Sequence, residues 1–207
     1  MKKLPEDSIE SLSGILFPKS IPNYFSRFRN LVKLECQIDC FTDKCIEILT
    51  KLEHIKDLDI SVIKYLLTST EKKCFKNLRI LEKFKINSNG EYYNNIDSLL
   101  VSVKNCKNLK YLDISYCDFT KVGIVGLSSL QNLTELNISF TICDKKIENL
   151  TEFIEQAYEI KNNRGDKHIL LIYCNNNNSQ EIVSKNFAKL SPLVSVIVKN
   201  EYNWEYQ

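Results

Sequence analysis

Across residues 108–120, NLKYLDISYCDFT, apolar side chains stand at 109, 112 and 114, with a cysteine at 117 and then Phe-Thr. Steps of three and then two match neither the strict alternation of a half-buried strand nor the 3.6-residue period of a helix. The rest of the chain supplies the reason. Displacing the sequence by 78 residues lays 30–61 over 108–139, and eleven of the thirty-two paired positions are identical. Leu31 falls on Leu109, Leu34 on Leu112, Phe41 and Thr42 on Phe119 and Thr120, and Ile46, Leu49 and Leu52 on Ile124, Leu127 and Leu130. The LxxLxI phrase returns inside each window at Leu58 and Leu136, and weaker copies centre on Phe84, Leu170 and Val196.

The phrase thus returns at spacings of 24, 26, 28, 24, 34 and 26 residues, and a repeat of that length holds one strand and one helix. The last two apolar residues of each phrase point to the same side of a short strand. The inward pairs are therefore Leu34/Cys36, Leu58/Ile60, Phe84/Ile86, Leu112/Ile114, Leu136/Ile138, Leu170/Ile172 and Val196/Val198. Three residues further on the chain turns, at Asn89, Cys117 and Asn175, where a side chain can bond to backbone groups in the interior. A helix then returns, burying 46, 49 and 52 or 124, 127 and 130. No single strand–helix unit covers its own apolar face, so the units stack. The expectation is an α/β solenoid of about seven repeats over residues 31–200, with a tail at 201–207. Its strands run parallel on a concave side and its helices lie on the convex side. In the longer fifth unit, Ile147, Leu150, Phe153, Ile154, Ala157 and Ile160 predict an extended helix, followed by an exposed polar loop, KNNRGDK.

The stretch 109–123, written LxxLxIxxCxFTxxG, resembles the ribonuclease-inhibitor-like and cysteine-containing leucine-rich repeats. The resemblance covers residues 31 to about 200. Repeats two, three, six and seven are degenerate: Ile63 fills the Asn/Cys position of repeat two, and Lys167 the leading leucine position of repeat six. The resemblance implies a horseshoe-shaped scaffold whose usual job is binding protein.

Residues 1–30 are different in kind. Pro5, Pro18 and Pro22 read as helix starts, with Asp7, Ser8 and Ser20 as candidate caps, and Ile9, Leu12, Ile15 and Leu16 form an apolar helical stripe. One reading is a short helical N-terminal cap over the open end of the first repeat. The other is an adaptor box. LPEDSIESL resembles the opening of an F-box, and a helical box followed by FPKSI resembles the region before the repeats in Zyg-eleven-type substrate receptors of cullin-RING ubiquitin ligases. That resemblance implies an Skp-type or elongin-type adaptor at the N-terminus. The later F-box tryptophan is absent, and Leu16 stands where the elongin-binding pattern has cysteine.

Charge and composition narrow the function classes. A net charge of +2 offers no phosphate-attracting surface for nucleic acid, and no run approaches the ~18 apolar residues of a membrane span. The start, MKKLPEDSIES, lacks the apolar stretch of a signal peptide, so a cytoplasmic protein is expected, with the nucleus as the alternative. Reduced thiols follow from that, and the eight cysteines read as small apolar residues. Cys36, Cys40 and Cys45 are spaced poorly for zinc, and only His54 and His168 could join them, so neither a metal nor a cofactor is expected. Catalytic motifs are missing, and His168 and Cys174, six residues apart along a strand, are separated by about 20 Å. An enzyme is not expected.

Binding is then read from the strand positions that face away from the core. One such column is Glu35, Asp59, Lys85, Asp113, Asn137, Leu171 and Ile197, and the column before it is Lys33, Asp57, Lys83, Tyr111, Glu135, Ile169 and Ser195. These columns read either as a solvated face or as a partner groove. In the second reading Tyr111 and Tyr173 are aromatic anchors, while Asp57, Asp59, Asp113 and Glu135, with Glu35 and Asn137 in the same columns, select a basic protein partner. The expected function is a non-catalytic protein-interaction module, in its most concrete form a ligase substrate receptor. The alternative is a stand-alone structural or regulatory repeat protein with no adaptor.

Overall fold

A computed structural model of the chain describes residues 8–66, 75, 78–88, 95–128, 130–139, 155, 158–159, 162, 170–174 and 194–198. Among the described residues eight strands form one sheet in sequence order, every neighbouring pair parallel. They are β1 (Ser11–Phe17), β2 (Lys33–Thr42), β3 (Asp57–Leu66), β4 (Lys83–Ser88), β5 (Tyr111–Asp113), β6 (Glu135–Asn137), β7 (Leu170–Cys174) and β8 (Val194–Val198). Among the described residues α1 (Asp43–Leu49), α2 (Asp97–Val103) and α3 (Lys121–Ser128) return the chain between strands. Such parallel, consecutive pairing needs a crossover at each step; α1 supplies it between β2 and β3, α2 between β4 and β5, and α3 between β5 and β6.

The inward columns fall where the repeat phrase puts them. Leu31, Ile55, Leu81, Leu109 and Leu133 lead into the strands, Leu34, Leu58, Phe84, Leu112 and Leu136 follow, then Cys36, Ile60, Ile86, Ile114 and Ile138, and all are buried. From the helical side they meet Ile46, Leu49, Leu52, Leu99, Leu100, Val103, Leu127 and Leu130. Each such side chain contributes about 1.5–3 kcal/mol by leaving water. Between repeats the strands are tied by a recurring bond just before each begins: Lys56 N–H to Val32 C=O, Glu82 N–H to Lys56 C=O, Lys110 N–H to Glu82 C=O and Thr134 N–H to Lys110 C=O.

Residues 11–17 overturn the helical cap. They form β1, which pairs with β2, so the edge of the first repeat is covered by a strand. The physical reason is a bulge. Leu12 pairs with Leu34, but the register then skips, and Ile15 pairs with Cys36. Gly14 absorbs the extra residue at φ +67°, a left-handed conformation natural to glycine. The bulge puts Leu12 and Ile15 on the same side three residues apart, a spacing that imitates a helix. Behind β1, Pro22 starts a short 3-10 turn, Asn23–Arg27, and Phe25 packs edge-on against Phe17 at 5.4 Å.

The register also corrects repeat six. Leu136 pairs with Ile172 and Asn137 with Tyr173, two residues downstream of the expected match to Leu170 and Leu171. This alignment puts Ile169, rather than Lys167, three residues ahead of the first inward side chain, which restores an apolar leading position. The predicted helix of the fifth unit falls mostly outside the described residues, although Glu155, Tyr158, Glu159 and Asn162 are helical. The loop KNNRGDK, apart from Asn162, and the turn positions Asn89 and Asn175 also lie outside them.

On the convex side α2 and α3 touch closely. A Cβ built on Gly126 would lie 2.6 Å from the Leu100 carbonyl oxygen, so only glycine permits this approach. Asp97, at the start of α2, accepts the Thr120 N–H at 2.7 Å, the Thr120 hydroxyl at 2.6 Å and the Gly123 N–H at 3.0 Å, and so satisfies the start of α3.

Candidate functional site

On the sheet face opposite the helices the strand register sets out three rows of residues. The first runs Ser11, Lys33, Asp57, Lys83, Tyr111, Glu135, Leu171, Ser195, and the second Glu35, Asp59, Lys85, Asp113, Asn137, Tyr173, Ile197. A third, shorter row is Leu16, Gln37, Ser61, Asn87. Two parts of this face differ in chemistry.

In the middle, Asp113 is a hub. Its Oδ1 accepts the Ser115 N–H at 3.0 Å, and its Oδ2 accepts the Tyr111 hydroxyl at 3.1 Å and the Asn137 amide at 2.9 Å. Asn137 in turn accepts the Ser139 N–H at 3.1 Å. Asp113 and Asn137 are 5% and 3% exposed, so the expectation that they face solvent is corrected. They end their strands by side-chain-to-backbone turns, which draws them against the backbone. Tyr111 stays half-buried with its phenol tied down. Burial first, and the Asp113 carboxylate second, hold that phenol far above its ordinary range, so it is a neutral donor.

At the β1 end the face opens into a recess of about 240 Å³ lined by Gly14, Ile15, Leu16, Glu35, Cys36, Gln37, Asp59, Ser61 and Lys85. Asp59 lies 3.2 Å from the Lys85 ammonium, yet burial outweighs this pairing and pushes its carboxyl up. Glu35 is exposed. Leu16 is 61% exposed, unusual for a leucine beside a strand ladder. A second recess, of about 530 Å³, lies away from these rows among Ser26, Arg29, Asn30, Lys51, Glu53 and His54, on the loops before β2 and β3.

A family model described as "Leucine Rich repeat" matches residues 105–128, from the end of α2 through β5 to α3. Among solved structures, an internalin (inlF) from Listeria monocytogenes str. 4b F2365 is similar, with a TM-score of 0.52 and 14% identity over 94% of this chain. This chain covers 55% of that internalin's length. Among curated proteins no sequence relative matches. The fold is a leucine-rich-repeat solenoid.

Within that solenoid the expected site residues separate into two groups. Tyr111, Asp113, Glu135 and Asn137 come together on β5 and β6, and Tyr173 stands next to Asn137 in the same row. Glu35 and Asp59 adjoin at the other end, and Asp57 lies half-buried between Lys33 and Lys83 in the first row. Sequence reasoning missed the contribution of β1. A lone glycine between Leu12 and Ile15, in SLSGILF, was the available signal for a bulge.

Among the described residues the thiols of Cys36, Cys45, Cys106 and Cys117 are buried, and that of Cys40 is half-buried. Cys36 is buried as expected, and burial first, with Asp59, Cys45 and Glu35 adding to it, pushes its pKa up to about 12. Cys117 occupies its turn position: its thiol donates to the Ile86 carbonyl at 3.5 Å and meets the Tyr65 hydroxyl at 3.5 Å. Among the described residues no group of three potential ligands could hold a metal ion. His168 and the Cys174 side chain lie outside the description.

Proposed function

We propose that the chain is a non-catalytic protein-binding scaffold that receives a partner along the strand face of its solenoid. The observation that carries this reading is Tyr111. It is a half-buried aromatic in the middle of an open sheet face, its hydroxyl fixed by a buried carboxylate. A rigid aromatic gives large contact area at small entropic cost, the usual anchor of a protein interface. Glu135, its register neighbour on β6, adds selectivity for basic groups.

Between the two forms of this function, the stand-alone binder is better supported than the ligase receptor. An adaptor box needs exposed helices within residues 1–30, whereas residues 11–17 are a strand of the sheet, with Leu12 and Ile15 packed on the core. Among the described residues no helix is long and apolar enough to cross a membrane.

The test is selection of displayed octapeptides on the purified chain, followed by affinity measurement with Tyr111→Ala. Binding should weaken by about 2 kcal/mol while thermal unfolding shows a retained fold. Failure to select any peptide, or unchanged affinity for every selected peptide, would remove the reading.

A further inference from the structure

We propose that the recess at the β1 end takes a lysine or arginine side chain of the bound partner, with Glu35 as its counter-charge and Leu16 covering its aliphatic stem. The proposal rests on the strand-face reading above and adds the chemistry of one end of the partner.

The argument is one of charge balance along the rows. Asp57 lies between two lysines, Lys33 and Lys83, on the flanking strands. Asp113 is buried and already accepts three hydrogen bonds. Asp59 pairs with Lys85. Glu35 differs: its row neighbour on β3 is Asp59, a like charge, and on its other side the β1 bulge supplies no cation. Like charges directly opposed across strands are unfavourable, and a third-party cation relieves them. The excess negative charge is felt nearby, since Glu35 helps raise the proton affinity of both Asp59 and Cys36.

The space fits the same occupant. About 240 Å³ corresponds to about eight water volumes, enough for one long side chain. Gly14 leaves it open, for no atom lies within 4 Å of where its Cβ would stand. Leu16 gives the apolar wall against which lysine and arginine stems pack. An anionic side chain would add to the like charges of Glu35 and Asp59, and a purely apolar one would leave Glu35 without a counter-charge.

The experiment is parallel octapeptide selection on the full chain and on Glu35→Lys, with affinities read by fluorescence polarisation. Glu35 is exposed, so the substitution leaves the core untouched, and thermal unfolding checks this; Glu35→Gln serves as the milder second variant. Peptides selected on the wild-type chain should share a lysine or arginine at one position and lose tenfold or more on Glu35→Lys. Their affinity should fall with added salt. Selection on Glu35→Lys should turn to aspartate or glutamate at the same position. If the peptides respond to Tyr111→Ala but carry no shared cation, or ignore both Glu35 variants, this inference fails and the scaffold reading stands. If they also ignore Tyr111→Ala, or no peptide is selected, both fail.

Discussion

The tripeptide Asp-Ile-Ser occurs at 59–61 in β3 and at 113–115, where β5 ends, in the same place of the repeat, and it does two different things. In β3 the strand runs on through Ser61 and Val62 to Leu66, paired with β2 for its whole length. There Asp59 remains half-buried on the surface with Lys85. After β5 the strand stops at Asp113, whose carboxylate folds back onto the Ser115 N–H. The next residues decide between these outcomes. Tyr116 adopts φ 60°, and Cys117 then turns inward to meet the Ile86 carbonyl. In β3 those positions are Val62 and Ile63. A β-branched valine resists positive φ, so the chain stays extended, Val62 points into the core, and Ile63 is left 40% exposed. The same local phrase can therefore end as a turn or continue as a ladder, and the charge at its first position is correspondingly structural or available.

The largest expected effect tests that asymmetry directly. Asp113→Ala strips the partner from the buried Ser115 N–H and the Asn137 amide, each left unsatisfied at about 1–3 kcal/mol. Urea denaturation should show a loss of about 3 kcal/mol. Asp59→Ala removes only a partly exposed ion pair and should cost less than about 1 kcal/mol. Equal losses at the two positions would mean that the turn carries no special weight.

An intermediate effect is expected at the turn itself. Cys117→Val deletes the thiol that donates to the Ile86 carbonyl and touches the Tyr65 hydroxyl, inside a site that is fully buried. The loss should be about 1–3 kcal/mol, measured by the same denaturation. Ile63→Val, at the corresponding exposed position of β3, should change stability by less than about 0.5 kcal/mol. A Cys117 variant as stable as the parent would show that β5 ends for some other reason.

How much of this was legible depends on which residues carry it. The inward columns were, because leucines and isoleucines at a fixed phase admit one packing; Leu34, Leu58, Leu112 and Leu136 lie in line as the phrase demands. The departure at Ile63 was also visible, though its consequence, a ten-residue strand, was not. The burial of Asp113 and Asn137 was hidden because alternation assigns a side of the sheet and says nothing of a side chain that curls back on its own backbone. Likewise β1 was concealed by a bulge that changes the period from two to three, and the slip at β7 by trusting the spacing over the apolar Ile169.

The smallest effect, and the finest probe of the comparison, is the pH response of Asp59. Its carboxyl is raised above the ordinary 3.8, by burial first, against the opposing pull of Lys85. The folded chain thus holds this proton more tightly than the unfolded chain does. As pH climbs from about 3.8 through the raised value, ionisation favours the unfolded state, and the wild-type chain loses stability from this group. Asp59→Asn has no proton to lose there. The two proteins should unfold at nearly the same temperature at pH 3.5. The asparagine variant should then move ahead as pH rises to neutrality, by an amount worth less than about 1 kcal/mol. A wild-type chain that gains on the variant over that window would show that the Lys85 pair outweighs desolvation. Asp59 would then be as firmly structural as Asp113, and the contrast between the two halves would rest on the turn geometry alone.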